Sequence, residues 1–177
     1  MSYIWTEKGK DSRIECKRCP LYQNKLVLGR GIVNADVLII GEAPGNTECN
    51  CGTVFTGRGG SLLNKELNRI GLWNFWITNV VKCCHFPKAF SSDLLQYCTP
   101  ILEDELKGRI KVIALGKVAR EAIGATQWGI LSKETSAIVH PGYVLRRPRE
   151  RIPFTKQWDE IREWIKEDTS LVKGLDL

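Results

Sequence analysis

Four short apolar runs alternate along the chain with amphipathic stretches of helical spacing. The runs cover residues 36–40 (DVLII), 75–79 (FWITN), 111–115 (KVIAL) and 137–139 (AIV). The first and third are aliphatic almost throughout, the pattern of strands whose two faces are both covered in a parallel sheet. Between them, residues 60–70 place Leu62, Leu63, Leu67 and Ile70 on one face of a helix. Residues 92–106 open with a Ser-Asp cap and turn Leu94, Leu95, Cys98, Ile101, Leu102 and Leu106 inward. Further helices are predicted over 117–123, after Gly116, and over 155–167, carrying Trp158, Ile161, Trp164 and Ile165.

Strand–helix alternation of this kind predicts an α/β fold, a three-layer αβα sandwich around a four-stranded parallel sheet with right-handed crossovers. The 177 residues make one domain by length, with no internal repeat, low-complexity tract or linker. Irregular structure is expected at the termini, over 46–60 and 83–91, and in the arginine-rich stretch after His140. Three predicted strands run into chemically unusual segments: GEAPG, TNVVKCC and HPGY. In open parallel sheets, ligands bind beyond the carboxyl ends of the strands.

Composition narrows the setting. Hydrophobic residues make up 43% and charged residues 26%, a folded rather than a disordered balance. No apolar run approaches the roughly 18 residues needed to span a bilayer, and the start MSYIWTEKGKDSR is too polar for a signal peptide. A reducing cytoplasm is therefore expected, where cysteines are seldom disulfides. The net charge of +6 admits an anionic partner. Arg146, Arg147, Arg149 and Arg151 in LRRPRER read equally as a solvated loop and as a phosphate-contact surface.

Seven cysteines call for another use. Cys16 and Cys19 form a C-x-x-C pair, and Cys83 (or Cys84) with Cys98 offers a second, distant pair. Four thiolates suit a tetrahedral zinc ion or an iron–sulfur cluster, and spacing alone does not choose. Cys98 taken alone reads as helix core. Cys49 and Cys51, beside a glycine-rich turn, are read as non-ligands.

Together the segments CKRCPLY, ADVLIIGEAPGNTE, GTVFTGRGGSLLNKEL, ITNVVKC, YCTPIL, VIALGKVA and HPGYVLRRP resemble the iron–sulfur, thermostable-type uracil-DNA glycosylases called family 4, over roughly residues 16–148. The resemblance implies a monofunctional enzyme that starts base-excision repair. It would act as a monomer on uracil-containing DNA, hydrolysing the N-glycosidic bond of a flipped-out deoxyuridine and leaving an abasic site. It also implies a structural [4Fe–4S] cluster on Cys16, Cys19, Cys83 and Cys98, with zinc as the alternative occupant. Cys84 stands where the pattern carries Arg and receives no ligand role.

Uracil presents an N3–H donor and an O4 acceptor, so one fixed carboxamide distinguishes it from cytosine. The resemblance gives that role to Asn79, and to Phe55 the aromatic floor on which the base stacks. Backbone groups around Gly41, Glu42 and Ala43 would hold uracil O2, and His140 would stabilise the departing anion. Glu42, with Glu48 second, would orient the attacking water. Tyr143 and Leu145 would fill the vacated stack, while Arg146 and Arg147 hold flanking phosphates. Each residue also has an ordinary reading: strand-end polar group, core phenyl, satisfied histidine, solvated turn acid.

Three departures from the pattern stand out. K-C-R-P-P is replaced by KCCHFPKAF, the acid pair after GEAPG is reduced to Glu48-Cys49, and G-x-P-F becomes G-T-V-F. Three competing readings remain: a glycosylase of broader deaminated-base specificity, a non-catalytic iron–sulfur DNA-binding accessory module, and a structural zinc protein.

Overall fold

The computed structural model describes residues 14–85, 91–126 and 134–167. The amino-terminal residues read above for a leader and residues 86–90 of the altered KCCHFPKAF loop lie outside them. Five strands form one sheet in the order β1-β3-β2-β4-β5. They are β1 (Arg30–Gly31), β2 (Val37–Gly41), β3 (Phe75–Asn79), β4 (Lys111–Leu115) and β5 (Thr135–Ile138). The helices are α1 (Ile14–Arg18), α2 (Asn46–Cys51), α3 (Arg58–Ile70), α4 (Leu95–Leu106), α5 (Lys117–Gly124), α6 (Pro141–Arg146) and α7 (Arg151–Lys166).

The expected parallel sheet comprises β2 to β5. A fifth, two-residue strand, β1, adds antiparallel to the β3 edge. It is too short to show an alternating pattern in the sequence. Because the chain passes from β2 to β3 on one side and then to β4 on the other, strand order reverses at β2. Such a reversal opens a crevice at the carboxyl edge.

Side-chain alternation divides the core into the predicted layers. Val37, Ile39, Ile77 and Ile113 face α3 and α7, packing with Leu63, Leu67, Phe154 and Trp158. Leu38, Ile40, Val112 and Ala114 face α4 and α5, against Leu102, Leu106, Ala119 and Ile123. No helix among the described residues is long and apolar enough to cross a membrane.

Several boundaries differ from the sequence reading. The stretch 46–60 holds α2 and the start of α3 rather than a loop, and the arginine-rich segment is α6, a short 3-10 turn and the start of α7. Pro141 and Pro148 sit at helix starts, where a missing N–H costs nothing. Ser91 caps the turn before α4, accepting from Asp93 N–H at 3.3 Å. The terminal helix begins at Arg151 because Pro153 falls in its first turn.

Behind the carboxyl end of β3 lies a buried ion pair between Lys82 and Glu105 of α4. Lys82 Nζ also donates to Thr78 Oγ1 at 2.9 Å and to the Asn79 carbonyl at 2.6 Å. A buried charge left without its partner is strongly destabilising, whereas exchanging both for apolar groups often is not. Lys82→Met or Glu105→Leu alone is expected to cost about 3–5 kcal/mol in urea denaturation. The double variant should cost less than either, and additive single costs would refute the coupling.

Candidate active site

The carboxyl ends of β2 and β3 lie in register, Gly41 opposite Asn79. Asn79 is buried, and its side-chain oxygen has no hydrogen-bond partner among the described residues. A buried polar atom is normally satisfied, so an orphan acceptor at a strand end marks a place for a donor from outside. Gly41 makes the crowding beside it possible: an added Cβ would collide with Asn79 Oδ1 and come within 2.6 Å of Phe55 Cζ.

Phe55 adopts φ 54°, a left-handed conformation unusual for an aromatic residue. Gly60 in the first turn of α3 supports it from below, since a Cβ there would overlap the Phe55 carbonyl. Strained backbone held by close packing is common at functional sites. The Phe55 and His140 rings lie 6.1 Å apart, tilted by 37°.

His140 follows β5 and caps α6, its Nδ1 accepting from Gly142 N–H at 3.0 Å. Because Nδ1 is an acceptor, the imidazole proton resides on Nε2. Burial, reinforced by the Arg146 charge and opposed by Glu48, lowers the His140 pKa from 6.5 to about 4. The imidazole is therefore neutral at physiological pH and presents one donor.

Asn79, Phe55 and His140 line one cleft of about 780 Å³, together with Ala43 and Glu48. Glu48 Oε1 accepts from Gly57 N–H at 2.8 Å, binding α2 to the entry of α3. Glu42 lies outside the cleft lining and is half-buried, which raises its pKa. Of the two acids expected around the turn, only Glu48 faces the cleft.

On and just after α6, the residues expected to meet DNA are partly committed to one another. Arg147 donates to the Tyr143 hydroxyl at 2.8 Å and stacks 4.7 Å above its ring. Leu145 is half-buried against the main core, so inserting it into DNA would require it to leave that packing. Arg146 is exposed. Arg58, at the first turn of α3, also lines the cleft and escaped the sequence reading. Its only signal was a basic residue inside the run Gly57-Arg58-Gly59-Gly60.

A second, small apolar pocket brings together Cys16, Cys19, Cys83 and Cys98. None of these four is in a disulfide. Among the described residues no three His, Cys, Asp or Glu side chains converge closely enough for a single metal ion. The four thiols line one shared space, a donor set that either a zinc ion or an iron–sulfur cluster takes. Burial pushes the Cys98 thiol up to about 11, against the opposing backbone N–H and charge of Lys82. Lys82 thus lies between the thiol pocket and Asn79.

The remaining cysteines separate cleanly. Cys84 is bonded to Cys49 of α2, with Cα atoms 5.6 Å apart, and Cys51 is exposed. The expectation of reduced thiols does not hold for this pair, because α2 brings Cys49 against the cluster loop, a contact that sequence spacing does not reveal.

The family model described as the uracil DNA glycosylase superfamily matches residues 28–165. A type-4 uracil-DNA glycosylase of Pyrobaculum aerophilum is 33% identical, with 80% of this chain and 85% of that protein covered. Its counterpart in Sulfurisphaera tokodaii is 31% identical, covering 89% and 83% respectively. That of Archaeoglobus fulgidus is 31% identical, covering 85% and 88%. With most of its length matched in order, the chain belongs to the uracil DNA glycosylase superfamily, among its type-4 members.

Proposed function

We propose that the cleft excises uracil from DNA by hydrolysing the N-glycosidic bond of an extruded deoxyuridine. The observation that carries this reading is the buried, unpartnered Asn79 oxygen in one cleft with Phe55 and His140. Extruding a nucleotide costs a few kcal/mol, and a shaped pocket recovers part of it. Phe55 supplies the stacking face. Asn79 accepts from uracil N3–H, a donor that cytosine lacks, and its amide donates to O4. Gly41 lets the Asn79 carboxamide and the Phe55 ring pack side by side at the strand end.

As the glycosidic bond breaks, electrons move onto uracil and the sugar becomes cationic. The His140 Nε2–H donor is oriented before the reaction by the Gly142 N–H contact on the other nitrogen. Such preorganised donors stabilise developing negative charge by a few kcal/mol. Glu48, held by Gly57 N–H, puts a carboxylate at the cleft wall where it opposes the cationic sugar and orients water. Exposed Arg146 and cleft-lining Arg58 supply positive charge for the DNA backbone.

Cys16, Cys19, Cys83 and Cys98 hold a [4Fe–4S] cluster, which when bound cross-links α1, the segment after β3, and α4. The support is the meeting of four thiols in one apolar pocket. Purified anaerobically, the protein should be brown and carry about four iron and four sulfide per chain. Cys98→Ser should lose iron and expose α1 to protease. A colourless protein with one zinc would overturn the cluster reading.

Incubation with matched uracil- and thymine-containing oligonucleotides, followed by alkali, tests the main proposal: scission is expected with uracil alone. Asn79→Ala should lower single-turnover excision by roughly 10²–10⁴-fold while DNA binding persists. Scission of neither strand by the wild-type holoprotein would reject the reading.

The lowered His140 pKa has a definite sign. Because its acidic transition lies at about 4 instead of 6.5, the excision rate should show no His140 inflection near 6.5. Only as pH falls toward about 4 does protonation of Nδ1 remove the acceptor for Gly142 N–H. The chain has two histidines, so imidazole ¹⁵N spectra with a His85→Gln reference can assign the signal. A His140 ring doubly protonated at pH 6 would contradict the neutral imidazole and the acceptor role of Nδ1.

A further inference from the structure

Cys49 and Cys84 stand at the two places where this sequence departs most from the pattern it otherwise follows. One replaces the second acid after GEAPG, and the other replaces the arginine after the third cluster cysteine. In the folded chain these two departures meet, joined sulfur to sulfur across a sequence separation of 35. We infer that Cys49 and Cys84 are a reversible thiol–disulfide modification site that fixes the cleft helix α2 against the cluster loop.

Local geometry supports a built site. Cys83 and Cys84 are neighbours on an extended segment, so their side chains point to opposite sides. Cys83 enters the thiol pocket, while Cys84 joins the main core with Cys49 packed against it. Residues 24–25 strap both ends of the link. Asn24 Nδ2 donates to the Cys84 carbonyl at 2.7 Å, and Cys84 N–H donates to the Lys25 carbonyl at 2.9 Å. Lys25 Nζ donates to the Asn50 carbonyl at 2.8 Å. The Cα separation of 5.6 Å lies at the usual value for a disulfide.

The closing reaction is thiol–disulfide exchange with a small-molecule disulfide of the glutathione type. Cys49, the more exposed of the pair, attacks one sulfur of that molecule, forming a mixed disulfide and releasing one small thiol. Cys84 then attacks the Cys49 sulfur and releases the second. Two electrons pass to the small disulfide, and the two protein protons leave on the two small thiols. Reduction by a dithiol runs the sequence backward.

The link thus lies on the opposite side of the segment from the thiol pocket, which Cys83 lines. Its effect on excision rests on the glycosylase reading: α2 carries Glu48 into the cleft, so the oxidised form should have the lower KM for uracil-containing DNA. The covalent site itself does not depend on that reading.

The test uses holoprotein exposed to oxidised glutathione or to dithiothreitol, then alkylated and peptide-mapped. A cross-linked peptide pair containing Cys49 and Cys84 is expected after oxidation, absent after reduction and absent in Cys49→Ser and Cys84→Ser. Cys51→Ser should leave it unchanged. Hydrogen exchange should quicken roughly tenfold or more across α2 on reduction, and the melting midpoint should fall by roughly 5–10 °C. Neither change should occur in Cys84→Ser. Alkylation of both cysteines after oxidation, a Cys49–Cys51 link, or α2 exchange indifferent to reductant would each overturn the inference. An enzyme inactive on uracil with the cross-link intact would overturn only the glycosylase reading.

Discussion

A carboxamide oxygen buried without a hydrogen-bond partner is costly, and the fold keeps one at the carboxyl end of β3. Much of the surrounding architecture holds Asn79 in that condition. Register pairing sets it opposite Gly41, where a larger residue would push against both Asn79 and the Phe55 ring. Its backbone carbonyl is engaged by Lys82, so the strand end cannot relax to satisfy the side chain. On the proposed reading, the energy of the unmet acceptor is returned when a donor enters the cleft, which would favour a base carrying N3–H.

The two pockets are mechanically joined by a few residues after β3. Asn79 faces the cleft, Lys82 is anchored to Glu105 of α4, and Cys83 enters the thiol pocket. Cys98 lies on the same helix as Glu105. A cluster held by these thiols would therefore fix the helix that fixes Lys82, and through it the carbonyl of Asn79. On that reading the cluster would have a positional consequence at Asn79.

Much of this was legible in the sequence, for identifiable reasons. Continuous aliphatic runs at 36–40 and 111–115 exposed the central strands, and GEAPG, TNVVKC and HPGY exposed the strand ends that meet at the cleft. What escaped depends on distances across the chain. The two residues of β1 carry no periodicity, and Glu105 looked like one more polar residue of α4. Cys49 and Cys84 belonged to separate segments until folding of 46–51 into α2 brought them together. Of the two turn acids the sequence ranked Glu42 ahead of Glu48, yet it is Glu48 that lines the cleft, held by Gly57 N–H across a loop that spacing does not reveal.

That last distinction bears on how the barrier is divided. The cleft presents a neutral imidazole donor, proposed above to face uracil, while Glu48 alone of the two expected acids lines it. Glu48 is held at the cleft wall by Gly57 N–H, a placement that suits a carboxylate proposed to orient water and oppose positive charge. Water deprotonation is not demanding once the sugar has become a cation, because the electrophile is then strong. On the proposed reading the arrangement loads the work onto departure of uracil: Asn79 and His140 would draw charge into a base stacked on Phe55, and the acid would follow rather than drive the bond breaking.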